Sequence, residues 1–187
     1  MKIRFLGAAR TVTGSCFHLI SNGLQVLVDC GMYQGKNSDE INKLPFPFDS
    51  EKIDYLLLTH AHLDHSGLIP KLVASGFRGR IITTTATADL VEIMLYDSAH
   101  IQEKDAEWLT KKSFRAGKDE VFEPLYTSED VAASIPFFDR KTYRVIESLG
   151  DGIKYRFVDA GHILGSGSLE LWFQGIGGEK KIVFSGD

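Results

Sequence analysis

The sequence predicts an α/β fold with helices packed on the outside of sheets, and three observations predict it. The first sixty residues break into short runs rich in β-branched and aromatic residues, punctuated by Gly, Asn and Pro. The middle carries a long segment with apolar residues at helical spacing, and the last third returns to strand-like runs. Strands, then helices, then strands leave sheet faces for the helices to cover. No repeat, low-complexity tract or linker interrupts the 187 residues, so residues 1–187 read as one domain.

Taken in order, "KIRFLGA", "SCFHLI" and "LQVLVDCG" are the opening strands, with "SNG" at 21–23 as a tight turn because Asn and Gly tolerate positive φ. A polar loop with Pro45 and Pro47 leads to a fourth strand, "IDYLLLTH". "SGLIPKLVASG" predicts a short helix that Ser66 caps and Gly76 stops, with Pro70 tolerated in the first turn. After the strand "RIITTT" comes a long helix from about Ala86 to Lys112, with Leu90, Ile93, Met94, Ile101 and Trp108 as its apolar stripe. "YTSEDVAASIPFF" opens another helix, where Thr127 and Asp130 hold capping-box spacing. "IKYRFVDAG", "SLELWFQ" and "KKIVFSGD" complete the strands. The sequence stops at Asp187 without a closing loop or helix, as an amino-terminal fragment would.

Composition narrows the classes of function. Lys plus Arg number 21 and Asp plus Glu 25, a formal charge of −4, so the total charge does not advertise a polyanion partner. Hydrophobic content of 43% and charged content of 25% belong to a globular protein rather than a disordered one. Cys16 and Cys30 make no disulfide framework and read as buried thiols in a reducing compartment. Gly7 and Arg10 interrupt the amino terminus before a signal-peptide core can form, and no apolar run approaches a membrane span. The expected location is the cytoplasm, away from membranes.

The chemistry concentrates in "THAHLDHSG", residues 59–67. Three of the chain's six histidines, His60, His62 and His65, fall within six positions together with Asp64. His60 leaves the end of a strand, and His62 follows on the same side of an extended segment. Asp64 and His65 come at the turn into the helix. A metal ion needs such convergence of neutral imidazoles and carboxylates, at about 2.0–2.2 Å for zinc. Four such groups exceed what one tetrahedral ion takes from so short a loop, and two ions sharing the loop is the natural alternative. Asp29, His162 and Asp187 each follow an apolar run, and strands of one sheet would bring those ends to one edge. Asp and Gly also end strands as plain turn residues.

These residues resemble the signature of the metallo-β-lactamase superfamily, with "THAHLDHSG" similar to its metal loop and Asp29, His162 and Asp187 in its order. "FLGAARTVTGSC", "LVDCGMYQG", "DSAHIQEKDAEWL", "EPLYTSEDV" and "GHILGS" resemble the β-CASP branch, the RNA-processing nucleases of that superfamily. The resemblance implies a four-layer αββα sandwich, of which residues 1–187 are the amino-terminal part only. The β-CASP domain and the closing part of the lactamase domain would be absent. It implies two Zn²⁺ ions, with manganese as a substitute. His60, His62 and His162 would hold one, Asp64 and His65 the other, and Asp187 would bridge them. Asp29, just outside the metals, would hold the ligand loop, and Asp29 and Asp64 are the expected catalytic carboxylates.

The implied activity is zinc-dependent hydrolysis of RNA phosphodiesters, since zinc lowers the pKa of bound water to about 7. The implied partner is RNA, with a homodimer open to the full-length protein. The leaving-group proton donor and the second zinc's remaining histidine would lie in the absent parts, so this chain alone is expected to be inactive. Two other readings stand beside it. A hydrolase of a small ester, thioester or lactam would use the same metal loop, and a non-catalytic scaffold would not have kept that loop intact. Elsewhere, His18 and His100 read as structural, and Lys111, Lys112, Arg115 and Lys118 as a solvated helix end. Thr11, Thr13 and Ser15 read as a turn whose hydroxyls satisfy backbone groups.

Overall fold

The computed structural model describes residues 1–175 and 177–187. Among them, β1 (Lys2–Phe5), β2 (Phe17–Ser21), β3 (Leu24–Val28), β4 (Tyr55–Leu57), β5 (Arg80–Thr84) and β6 (Phe138–Lys141) form a six-stranded sheet in sequence order. The pairs β1–β2 and β2–β3 are antiparallel, and β3 through β6 run parallel. β7 (Glu147–Gly150), β8 (Ile153–Asp159), β9 (Gly167–Gly175) and β10 (Gly178–Phe184) form an antiparallel sheet in the order β10-β9-β8-β7. The helices are α1 (Ser38–Lys43), α2 (Leu63–Ser66), α3 (Ile69–Ala74), α4 (Thr85–Arg115) and α5 (Ser128–Ser134).

The burial of each strand explains its composition. A parallel strand covered on both faces reads as an unbroken apolar run. Leu27, Leu56 and Ile81 point to a core that includes Ile69 and Leu72 of α3, Val91 and Leu95 of α4, and Val131 of α5. Val26, Val28, Leu57 and Ile82 point the other way, to a second core between the sheets. The opposing sheet alternates instead. Ile153, Tyr155, Phe157, Leu169, Leu171 and Phe173 face inward, while Lys154, Arg156, Glu170 and Trp172 occupy the intervening positions. The chain thus builds helices, sheet and sheet, three of the four layers expected. A polar clamp closes the far side, where Lys141 of β6 meets Glu147 of β7 at 2.7 Å and Tyr155 donates to the same carboxylate at 3.1 Å.

The helix expected from Ser66 to Gly76 is two helices. Pro70 has no N–H to donate to the Ser66 carbonyl, so α2 stops there and Pro70 sits in the first turn of α3. Ser66 does not cap: its Oγ donates back to the carbonyls of Ala61 and His62 at 2.9 and 3.0 Å. Of the apolar stripe expected on the long helix, Leu90 and Met94 pack against the core but the rest does not. Ile93, Ile101 and Trp108 are 67%, 52% and 58% exposed, whereas Val91, Leu95, Ala99 and Ala106 are buried. Spacing alone picks out bulk, but the small side chains of Ala99 and Ala106 let α4 lie close to its neighbours. α1, β6 and β7 were not expected, because "SDEINK", "FDRK" and "ESLG" are short and mostly polar. The capping box at Thr127 and Asp130 is present as read.

Cys16 and Cys30 are free and buried, as expected. Burial, with the Asp29 charge nearby, pushes the Cys16 thiol up to about 12, and burial raises Cys30 well above the usual range. His100 lies exposed on α4. No helix among the described residues is long and apolar enough to cross a membrane.

His18 is buried in β2. Its Nε2–H donates to Gln25 Oε1 at 3.0 Å, and its Nδ1 has no partner among the described residues. Burial lowers its pKa, which the Gln25 hydrogen bond opposes and the charges of Arg4 and Lys2 assist. A depressed folded-state value leaves His18 neutral in the fold, while the unfolded chain takes up a proton below about pH 6.5. The stability it contributes is therefore full above about pH 6.5 and lost as pH falls below it. Urea midpoints of metal-free protein should drop between pH 7.5 and 5.5, and His18→Gln should show a smaller drop. An equal drop in both would remove His18 from the account.

Candidate metal centre

The functional strand ends come from both sheets. Asp29 follows β3 and His60 follows β4 in one sheet, while His162 follows β8 and Asp187 follows β10 in the other. A single sheet edge, as expected from sequence, is replaced by a rim where the two sheets meet. The seam is a backbone bond from Gly167 N–H to Thr59 O at 2.9 Å. Gly186 crosses this seam at φ 72, where a Cβ would lie 2.4 Å from the Gly167 carbonyl oxygen. Glycine alone lets the chain carry Asp187 this close to the rim.

Asp29 organises the floor. It adopts a left-handed φ of 58 on leaving β3 and is 2% exposed. Its Oδ1 accepts from Thr59 N–H and Thr59 Oγ1, each at 2.9 Å. Its Oδ2 accepts from Ser15 Oγ at 3.2 Å and from His65 Nδ1 at 2.8 Å. The "HAHLDH" loop is held by backbone bonds as well. Ser15 N–H donates to Asp64 O and Cys30 N–H to His65 O, each at 2.8 Å. Gly31 lets the two segments touch, since a Cβ there would stand 1.7 Å from the Asp64 carbonyl oxygen.

On this floor the histidines converge. His60 Nε2 lies 3.2 Å from His62 Nδ1, and His162 Nε2 lies 3.1 Å from the same atom. Ligands at about 2.0 Å from a tetrahedral zinc stand about 3.3 Å apart, which matches the two distances from His62, and all three nitrogens lie within 4.8 Å of one another. A second group is formed by His60, His65 and Asp187, whose ligand atoms lie within 4.8 Å of one another. His65 Nε2 is 3.6 Å from Asp187 Oδ2. Asp64 contributes its carbonyl to the scaffold, and its carboxylate belongs to neither convergent group. His60 is fully buried, whereas His162 and Asp187 stand on the exposed rim. A cavity of about 420 Å³ opens onto Asp29, His65 and Asp187, with Val12 and Phe184 on its wall.

Proton positions suit a cation. Thr59 Oγ1 donates to Asp29, so it accepts from His60 Nδ1–H at 3.0 Å, which leaves the Nε2 lone pair facing the cluster. His65 donates its Nδ1–H to Asp29, which frees its Nε2 in the same way. Carboxylate-backed imidazoles of this kind are the usual support of metal ligands. In the metal-free chain burial, reinforced by His65, lowers His60 to about 4, so it stays neutral and able to bind. Burial pulls His65 down, but the hydrogen bond and charge of Asp29, with Asp187 and Asp64, outweigh it and raise its pKa. The donor set fits a divalent transition-metal ion.

The sequence pointed to Asp29, His60, His62, Asp64, His65, His162 and Asp187, and the fold brings all of them to this rim except the Asp64 carboxylate, which joins neither convergent group. Ser15 and Thr59 were missed as members of the Asp29 network. A hydroxyl directly before the first histidine, and one just ahead of a strand that neighbours Asp29, were the available signals. Thr13 behaves as the turn reading requires, its Oγ1 accepting from Gln34 N–H at 3.0 Å.

A layered α/β sandwich whose sheets meet at convergent histidines is the architecture of a class of metal-dependent hydrolases. Residues 10–187 match the family described as the metallo-beta-lactamase superfamily, and the chain belongs to it. The relatives it matches in sequence are those of the β-CASP branch. It is 38% identical to ribonuclease TTHA0252 of Thermus thermophilus, covering 100% of this chain and 38% of the relative. It is 32% identical to the transcription termination factor FttA of Methanocaldococcus jannaschii, covering 91% of this chain and 25% of that protein. With cleavage and polyadenylation specificity factor 73 of Drosophila melanogaster it shares 29% identity, over 100% of this chain and 25% of the relative. The chain therefore spans well under half the length of these relatives. Among solved structures, BJP-1, a subclass B3 metallo-beta-lactamase of Bradyrhizobium japonicum, superposes with a TM-score of 0.57 at 20% identity, covering 99% of this chain and 58% of that one. A beta-lactamase from Chitinophaga pinensis gives 0.54 at 18% identity, covering 97% and 58%. These two likenesses show the fold.

Replacing Asp29 by Asn keeps a side chain that tolerates the left-handed backbone but removes the charge that orients His65 and Thr59. Asp29→Asn should weaken metal binding about 10–100-fold while leaving the circular dichroism spectrum unchanged. Unaltered affinity in a chelator-competition titration would show that Asp29 serves the fold alone.

Proposed function

We propose that this chain is the metal-binding part of a zinc-dependent ribonuclease that hydrolyses phosphodiester bonds in RNA. One observation carries the reading: the nitrogens of His60, His62 and His162 converge within 4.8 Å of one another in a chain whose sequence relatives include a ribonuclease. His60, His62 and His162 are proposed to hold one zinc, His65 a second, and Asp187 to bridge them; Asp64, whose carboxylate joins neither group in the metal-free chain, would turn in to complete the second. The His65–Asp187 approach of 3.6 Å supports the bridge. Bound there, two divalent ions supply Lewis acidity and a nucleophilic water at neutral pH.

The chain's own residues then have separate tasks. Asp29 keeps His65 and, through Thr59, His60 in the tautomers that present Nε2. The buried floor excludes bulk water from behind the cluster, and the exposed rim at His162 and Asp187 leaves one side open to a polymeric substrate. The proton for the leaving oxygen is proposed to come from outside residues 1–187, and the charge of −4 gives little attraction for phosphate. General acid catalysis is worth about 10²–10⁴ in rate. Residues 1–187 alone should accordingly cleave RNA at least about 100-fold more slowly than the whole protein with zinc or manganese. Chelator-sensitive cleavage by the isolated chain at the full rate would refute that division of labour. A panel of thioester, ester and lactam substrates tests the rival hydrolase: turnover there without RNA cleavage would replace the nuclease reading.

The two metal positions should be unequal. His60, His62 and His162 would hold one ion with Asp187 as the proposed fourth ligand, whereas the second position would have fewer protein ligands here. Calorimetric titration of metal-free chain with zinc should show one tight equivalent and a second at least about tenfold weaker. His162→Ala should abolish the tight equivalent, and His65→Ala should leave it nearly intact. Two equally tight equivalents would overturn the proposed ligand sets.

A further inference from the structure

We infer that Thr84 and Thr87 are positioning residues that fix His162 against the other two histidines by seating its loop on the first turn of α4. The inference rests on the metal reading of His60, His62 and His162. His162 is the one member of that trio outside the "HAHLDH" loop, and its side chain is exposed on the rim. Its place therefore depends on its backbone.

Most bonds in residues 160–166 only shape the turn. Ser166 N–H donates to Ile163 O at 2.9 Å, and Ser166 Oγ accepts from the N–H groups of His162 and Ile163 at 3.2 Å. Such bonds hold the loop to itself. The Gly167–Thr59 seam ties the sheets just after the loop, and a second tie lies within the loop, three residues beyond His162. The Gly165 carbonyl accepts from Thr84 Oγ1 at 2.6 Å and from Thr87 Oγ1 at 2.7 Å. Both threonines are buried, at 2% and 0% exposure. Two donors on the two lone pairs of one carbonyl fix its direction as well as its position.

The seat itself is rigid. Thr84 is the last residue of β5 and the N-cap of α4, its hydroxyl also accepting from Thr87 N–H at 3.2 Å. β5 pairs directly with β4, Leu57 opposite Ile82, so Thr84 is in fixed register with the strand that delivers His60. Gly165 adopts φ 83, and a Cβ on it would lie 2.4 Å from Thr87 N. The loop thus touches the helix with no clearance. Thr84 has a second task as a cap, whereas the hydroxyl of Thr87 makes its one hydrogen bond among the described residues to Gly165. Thr87 is accordingly the clean probe, since valine keeps its shape and lacks only the donor.

Cobalt(II) serves as the probe metal, with affinity read in competition against a chromophoric chelator and geometry read from its visible absorption bands. Thr87→Val should weaken the tight site about 10–100-fold and lower the tetrahedral band intensity, while Thr87→Ser should restore both to near wild type. In a His162→Ala background, Thr87→Val should cost nothing further, because there is no ligand left to position. Gly165→Ala breaks the same contact from the loop side and should show the same loss, which keeps the test open if Thr87→Val fails to fold. Unchanged affinity in Thr87→Val or Gly165→Ala, a Ser variant as weak as the Val variant, or a further loss in the His162→Ala background would each overturn the inference. A His162→Ala protein that binds cobalt as tightly as wild type would instead sink the metal reading, and this inference with it.

Discussion

A buried carboxylate surrounded by donors is the constraint on which this site depends. Asp29 draws in Ser15 from ahead of β2, Thr59 from the end of β4 and His65 from α2. Leaving such a charge unpaired in the interior would cost several kcal/mol, so these segments are held wherever their donors can reach it. The same charge decides where protons sit. Thr59 gives its hydroxyl proton to Asp29 and must therefore receive one from His60, while His65 donates directly. One carboxylate thus presets the lone pairs of two imidazoles before any cation arrives.

The sandwich matters because neither sheet owns the site. The parallel sheet supplies Asp29 and the "HAHLDH" loop, and the antiparallel sheet supplies His162 and Asp187. Their relative placement is set by the inter-sheet core, by the Gly167–Thr59 bond, and at the far side by the Lys141–Glu147 pair. Packing at that core is therefore read out at the rim as distances between nitrogens. A Leu or Phe lost from the interface would disturb ligand geometry without touching a ligand.

Much of this was legible in the sequence. Three histidines in six residues mark the loop, and Asp29, His162 and Asp187 stand at the ends of recognisable strands. What could not be read follows from partners that spacing does not encode. Periodicity assigned Ile93, Ile101 and Trp108 to the core, but the helix buries Ala99 and Ala106 because close approach favours small residues. Ser66 looked like a cap because it precedes an apolar run, yet its hydroxyl bonds backward to Ala61 and His62. The second convergent group contains His60 rather than Asp64, a matter of side-chain direction that a run of four candidate ligands leaves open. β6 and β7 escaped because short polar strands acquire their identity from the neighbours they pair with.

The approach of His62 and His162 has a topological consequence. These residues are 100 positions apart in the chain. An ion bonded to both is a cross-link, closing a loop of that length much as a disulfide would. In the chain-entropy treatment such a closure is worth about 4.7 kcal/mol, drawn from the freedom of the unfolded chain rather than from any contact in the fold. A domain fastened this way carries a reversible staple whose strength follows the free metal concentration around it. Its persistence under heat or proteolysis would then report on metal supply as much as on its own packing.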